Sequence, residues 1–324
     1  MKMPEYKSVF REEITCYLKF RESSGIKQIR LEYYSFKQLD TFFIDNGFTE
    51  IRFNKMQATE WKRQMPKETY AARYHRINRT KRFFKYLQAK GYDVYVFWDI
   101  RLPKSDFMPH IFSKDEIARY FYAVDTMAHK SVKSYEIQMP VLMRLLYCCG
   151  TRIDETLSIK KKDVDLAKGI IYLRDTKSRE ERMIVLSSAM ANLIRLYAEK
   201  TFHTITERDY IFHTNRWGKI DGKFVHELHV KYLEKAGIPY FGGGKGPRIH
   251  DWRHTFAIES LKSMIDSDMD MYAALPILSA YLGHKGIKST EKYVRLTMSM
   301  YPYIEERIGK NLDKIFADYE EGIN

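Results

Sequence analysis

The last quarter of the chain carries His250-Asp251-Trp252-Arg253-His254-Thr255, then Leu282-Gly283-His284, and nine residues further on Tyr293, closing Ser289-Thr290-Glu291-Lys292-Tyr293. These residue types supply an anion-binding cluster and an oxygen nucleophile. Two weaker signals lie upstream. Arg152 follows the helix-breaking Gly150, with Glu155 three residues on and so on the same helical face. Lys177 stands in the polar run Thr176-Lys177-Ser178-Arg179. Taken singly, Arg152 and Glu155 read as a surface ion pair and Lys177 as a soluble turn residue.

Together these residues fit attack on a phosphodiester. Its charge repels nucleophiles, and a pentavalent transition state spreads that charge over the non-bridging oxygens. Arginine is permanently protonated and forked, so Arg152 and Arg253 are candidates to grip those oxygens, with His284 as a further donor. Tyr293 is a neutral phenol with an ordinary pKa near ~10 and needs a proton acceptor, for which His250 is the candidate. Lys177 is the candidate to return a proton to the leaving oxygen. Glu155 is expected to orient an arginine or His250. Such a reaction stores bond energy in a phosphotyrosyl link and calls for no ATP, metal or other cofactor, because the arginines and lysine provide the positive charge.

The surrounding elements must position these groups. From about Thr15 to Gly91 the periodicity is helical: Leu31, Tyr34, Phe36, Leu39, Phe42 and Phe43 make one stripe stopped by Asn46-Gly47. A second helix starts near Lys67 to Thr69, with Tyr70, Tyr74, Ile77, Phe83, Phe84 and Leu87 on its core side. Its remaining surface carries Arg73, Arg76, Arg79, Lys81, Arg82 and Lys85, either a solvated face or one that lies along phosphates. The stretch 101–113, with Pro103 and Pro109, has no apolar period and reads as a linker. Ser113 with Glu116 then announces a helix start. Val141 to Cys149 is an apolar helix broken by Gly150 and Thr151. Ile170 to Leu173 and Met183 to Leu186 alternate as a β-hairpin around Lys177, and a glycine-rich loop at 242–246 precedes His250.

Composition agrees with a nucleic-acid partner. Lys and Arg number 55 against 42 Asp and Glu, a formal charge of +13, in a chain of 324 residues that is 44% hydrophobic. The length suits two domains, and no apolar run is long enough for a membrane helix. The N-terminus lacks a signal-peptide core, so the cytoplasm is the expected location and no membrane partner is expected. Three cysteines offer neither a disulfide framework nor zinc spacing. With 24 tyrosines, none is evidence by itself.

In the order Arg152, Lys177, His250, Arg253, His284, Tyr293 the sequence resembles the tyrosine recombinase, or phage integrase, family. That pattern is an arginine after a Gly-x-Arg turn with an acidic residue three on, a hairpin lysine, His-x-x-Arg, a histidine in Leu-Gly-His, and a tyrosine nine residues later. The likeness extends over roughly residues 15–300. It departs at Trp252, where leucine is usual, and in a longer segment around Ser267 to Met271. The resemblance implies a mainly α chain with a small β-hairpin or sheet, built as a two-domain DNA clamp. A helical core-binding domain would cover 1–105, a linker 106–113, and an α+β catalytic domain 114–324 with a tail helix at 301–324. It further implies a site-specific recombinase that cuts double-stranded DNA recombination sites through a 3′-phosphotyrosyl link on Tyr293, releasing a 5′-hydroxyl, as a homo-tetramer on paired sites, and a monomer or weak oligomer without DNA. Accessory DNA-bending proteins or sister recombinases are the other partners it suggests. Integration, excision or transposition of a mobile element is the expected setting, with chromosome or plasmid dimer resolution and type IB topoisomerase-like strand passage as alternatives. The tail stripe Tyr301, Ile304, Ile308, Leu312, Ile315 and Phe316 would dock on a neighbouring subunit or on its own domain.

Two other classes were weighed. A metal hydrolase could use His250, His254 and His284, but Asp251 stands where a metalloprotease has its glutamate, and Arg253 repels a cation there. A non-catalytic DNA-binding protein would explain the charge and leave the spacing of Tyr293 without a reason.

Overall fold

A computed structural model of the chain describes residues 4–25, 29–97, 108–128, 134–174, 181–216, 218–242, 246–284 and 288–301. The chain divides into two compact units, Met1–Phe107 and Met108–Asn324.

The first unit is helical among its described residues: α1 (Arg11–Ser23), α2 (Ile29–Asp45), α3 (Lys55–Trp61) and α4 (Tyr70–Ala89). Its core is aromatic, with Phe10 stacked on Phe43 at 3.8 Å and Phe53 against Phe84 at 4.4 Å between ring centroids. On α2 the buried stripe is Phe36, Leu39 and Phe43, whereas Leu31 and Tyr34 are 54% and 42% exposed. At 100° per residue those two fall on the opposite face, so the expected single stripe is narrower than the sequence suggested. Helix α4 starts at Tyr70 because the Thr69 side chain accepts from the Ala72 N–H at 3.2 Å.

Arg76 corrects the reading of α4 as a uniformly DNA-facing basic surface. Its side chain is buried, with Nε and Nη2 donating to both carboxylate oxygens of Glu68 at 2.7 and 2.8 Å and Nη2 also to the Arg63 carbonyl at 2.9 Å. The guanidinium lies over the Trp61 ring at 4.6 Å. Helical rotation places Arg76 beside the buried Ile77 and Thr80, inside the unit. Arg82, Lys85, Arg79 and Lys81 instead line a cleft of about 540 Å³ together with Tyr74, His75, Asn78 and Arg21. Arg73 donates to the Lys62 carbonyl at 2.7 Å.

The second unit runs α5 (Lys114–Ala128), α6 (Ser134–Cys148), α7 (Ile153–Thr156), β1 (Val164–Asp165), β2 (Ile170–Leu173), β3 (Arg182–Val185), α8 (Ser188–Thr201), α9 (Gly222–Lys235), α10 (Ile249–Asp266), α11 (Met271–Leu282) and α12 (Lys288–Met300). Helix α5 opens with a reciprocal cap: Ser113 N–H donates to Glu116 Oε2 at 2.8 Å, and Glu116 N–H to Ser113 Oγ at 3.2 Å. The expected linker ends earlier than 113. Phe112 is buried, stacks on Trp252 at 3.7 Å and donates its N–H to Thr255 Oγ1 at 3.1 Å. An aperiodic segment can still carry an anchor, and Trp252, larger than the leucine of the family pattern, is the plate that receives it. Residues 101–107 of the aperiodic stretch, which include the first two of the expected linker 106–113, and 302–324 of the expected tail lie outside the described residues.

The sheet is antiparallel in the order β1-β2-β3, with Ile171 opposite Ile184 and Leu173 opposite Arg182. Ile171, Leu173 and Ile184 face the core, while Met183 and Val185 face solvent. Gly150 breaks the chain between α6 and α7 at φ +57°, and a Cβ there would collide with the Phe256 ring. The segment Ser267 to Met271 is a short turn, where the Asp270 side chain caps α11 by accepting from the Tyr272 and Ala273 N–H groups at 2.8 and 3.2 Å.

Candidate active site

Three of the predicted residues come together: Arg253 bonds His284 directly, Arg152 bonds the carbonyl of Gly283 next to it, and Tyr293 stacks on His284. Arg253 reaches from α10 to the two glycine turns. Its Nη1 donates to the Gly150 carbonyl at 2.7 Å and its Nη2 to the Leu282 carbonyl at 2.6 Å. Those carbonyls are the ends left unpaired where α6 and α11 stop, so the arginine ties three helices at one point. Gly283 ends α11 in the left-handed region at φ +64°, which turns His284 back toward α10.

The direction of protons around His284 follows from its neighbours. Arg253 Nη2 lies 3.0 Å from His284 Nε2, and a guanidinium can only donate. Nε2 is therefore the acceptor, and the ring proton sits on Nδ1, which donates to Thr290 Oγ1 at 2.9 Å. The imidazole is neutral, in line with a pKa pushed down to about 4 by burial and then by Arg253 and Arg152. In this state His284 accepts from the cluster, where the sequence reading had made it a donor.

Tyr293 is buried in the apolar cluster that includes Ala257, Ile258 and Leu261 of α10, its ring stacked on His284 with centroids 6.1 Å apart. Burial raises its pKa above the ordinary 10, opposed by the charges of Arg253 and Arg152. The hydrogen-bond partner of its hydroxyl is His254, with Nδ1 and Oη 3.1 Å apart. His250, expected as the acceptor, stands one turn back on α10 with its ring 4.7 Å from that of His254. Loss of water around its ring and the charges of Arg253, Lys292 and Arg248 push its pKa down to about 4. Lys292 adds a cation 5.1 Å from the Tyr293 ring.

Arg152 and Glu155 form the other wall. Arg152 Nη1 donates to Glu155 Oε1 at 2.6 Å, its Nη2 to the Gly283 carbonyl at 3.3 Å, and its backbone N–H to Glu155 Oε2 at 3.2 Å. Glu155 thus holds the arginine by both its guanidinium and its backbone N–H. Burial would raise its carboxyl, but hydrogen bonds and charges from Arg182 and then Arg152 hold it below the usual carboxylate range. Lys177 lies outside the described residues. Among the described residues no group of three or more His, Cys, Asp or Glu side chains is arranged to hold a metal ion.

Two residues here escaped the sequence reading. His254 was weighed only as a metal ligand, although it follows the His-x-x-Arg motif directly. Arg182 did leave a signal: strand alternation puts it on the same face as the buried Ile184 and Leu186, where a charge is out of place.

The sequence profile of the phage integrase family matches residues 111–300. The putative integrase/recombinase y4rB of Sinorhizobium fredii is 27% identical over 191 residues, 57% of this chain and 61% of that protein. The probable integrase/recombinase protein MJ0367 of Methanocaldococcus jannaschii is 32% identical over 163 residues, 48% of this chain and 45% of that protein. The chain thus spans between under half and about three fifths of these relatives. Among solved structures, the XerH site-specific recombinase bound to palindromic difH substrate superposes with a TM-score of 0.67 at 14% identity, covering 91% of this chain and 82% of that one. A lambda integrase dimer bound to a COC′ core site gives 0.60 at 16% identity, covering 89% and 78%. These likenesses show the fold. With more than half of its length matched by the family profile, the chain belongs to the phage integrase family.

Proposed function

We propose that the chain is a site-specific DNA strand transferase with Tyr293 as nucleophile. The observation that carries this reading is the convergence of the Tyr293 phenol, Arg253, Arg152 and His284 on one point, with positive charge in excess of carboxylate. Tyr293 Oη forms a bond to a DNA phosphorus as the bond to the 5′-oxygen breaks. The phenolic proton passes to His254, which already holds the hydroxyl, or through it to the adjacent His250. The departing 5′-oxygen takes a proton from Lys177. Attack by a 5′-hydroxyl on the 3′-phosphotyrosyl link then rejoins the strand and returns the phenol. Arg152 and Arg253 hold the non-bridging oxygens, with Glu155 fixing Arg152.

Binding of duplex DNA is supported by the net charge and by the cleft lined by Arg79, Lys81, Arg82 and Lys85. Assembly on paired sites is supported by the lambda integrase tetramer bound to a Holliday junction, whose fold the chain shares. A mobile-element role draws on the relatives named integrase/recombinase and on the similar fold of a transposon integrase bound to a circular intermediate DNA.

The test is incubation with a pool of randomised duplexes, nicked so that the strand bearing the released 5′-hydroxyl diffuses away. Wild type is expected to form a denaturation-resistant protein–DNA adduct and Tyr293→Phe none. An adduct in the Phe variant, or tight wild-type binding with no adduct, would overturn the reading.

A further inference from the structure

The strand alternation that turns Ile184 and Leu186 into the core also buries an arginine. The Arg182 side chain is 11% exposed, and its Nη2 donates to Glu155 Oε2 at 2.7 Å. Its Nε and Nη1 are shielded from solvent and have no hydrogen-bond partner among the described residues. Leaving guanidinium donors buried and unmatched is costly, and an apolar side chain would suit that strand position better. Its ion pair and its packing on Gly283 both lead into the site. Glu155 takes Arg182 on one carboxylate oxygen and Arg152 on the other. Gly283, whose carbonyl accepts from Arg152, lies against the same guanidinium: a Cβ there would stand 3.0 Å from Arg182 Nη1 and 3.4 Å from its Cζ. Arg182, Glu155, Arg152 and Gly283 therefore close a ring between the sheet and the turn that carries His284.

We propose that Arg182 is a positioning residue for strand transfer: through Glu155 it fixes the Arg152 guanidinium, and by packing on Gly283 it fixes the His284 turn. It does not itself grip the phosphate, because its unmatched nitrogens face protein. Two guanidinium groups on one carboxylate also leave Arg152 less neutralised than a private ion pair would, so its charge stays available for an anion. The assignment rests on the strand-transfer reading above.

The test compares adduct formation on a duplex recovered from the randomised pool with the same duplex carrying a methylphosphonate, both diastereomers, at the scissile position. A methyl group in place of a charged oxygen removes the demand that Arg152 serves. Arg182→Gln is expected to slow adduct formation about 10- to 100-fold on the phosphodiester, with DNA affinity changed less than about threefold. On the methylphosphonate that gap is expected to shrink below about fivefold. Arg182→Lys, which keeps a charge for Glu155, should lie between wild type and Gln and show the same narrowing. A purely structural role would give equal losses on both substrates, and that result, or a wild-type rate for Arg182→Gln, would overturn the assignment. Should thermal melting show Arg182→Gln to be unfolded, the Lys variant decides by the same criterion. Absence of an adduct from wild type would overturn the strand-transfer reading and this assignment with it.

Discussion

Arg76 in the first unit and Arg253 in the second are both buried, at 2% and 1% exposure, yet they are held in opposite ways. Arg76 meets both oxygens of one carboxylate, two backbone carbonyls and an indole face, so its charge is matched where it stands. Arg253 meets two backbone carbonyls and a neutral imidazole, and among the described residues no carboxylate forms an ion pair with it. Beside it Arg152 and Arg182 share Glu155. Burial alone thus does not distinguish the two arginines. Unmatched charge does, and it is what the proposed function calls for, because in a poorly solvated pocket such charge is worth most when an anion arrives.

The contrast predicts different losses. Arg253→Ala should slow single-turnover adduct formation about 10²- to 10³-fold, and a near-normal rate would remove the second unit's side of the contrast. Arg76→Met should leave the adduct rate per folded molecule near that of wild type while costing about 3–5 kcal/mol in urea denaturation, because Glu68 is left buried and unpaired. Replacing Glu68 by Leu as well should recover much of that stability.

Acid should separate the units too. His250 and His284 have folded pKa values near 4, and His254 lies lower still, chiefly through burial. A group whose pKa is depressed by folding contributes full stability above its unfolded value, near ~6.5, and loses it as pH falls toward the folded value. The second unit should therefore weaken from about pH 6.5 down to pH 4. In the first unit Glu68 and Asp40 are held below their ordinary values, burial being offset by Arg76 and by Ser8 with Lys7. Their contribution is lost only below the usual carboxylate range, near ~4. Hydrogen exchange followed in each unit between pH 7 and 4.5 would check this, and parallel weakening of both units would contradict it. The smallest effect expected is on DNA affinity: Lys85→Ala should weaken binding a few-fold for all sequences and lower the salt dependence by about one counterion.

Much of the candidate site was legible because it is carried by residue types in a fixed order, and because both glycine turns announce themselves. Gly150 and Gly283 stand where helices end, and Arg253 bonds the Gly150 and Leu282 carbonyls and the ring of His284. The hairpin was legible from alternation, the start of α5 from Ser113 and Glu116. What stayed hidden depends on rotation and pairing. His250 and His254 share a face of α10, and only the path of α12 decides which reaches the phenol. Arg76 looked like its neighbours on a basic helix because its partner, Glu68, comes from the preceding turn. Phe112 was hidden by the prolines before it, which argue against a helix and say nothing about packing. Arg182 could have been found by asking why a strand puts a charge on its inner face.

The central claim is that the phenol held between His254 and the arginine cluster is the atom that joins DNA. Peptide mass mapping of the denatured adduct, after protease and nuclease digestion, tests it most directly. The account predicts a nucleotide attached through its 3′-phosphate to Tyr293. Attachment at any other residue, or through a 5′-phosphate, would contradict it.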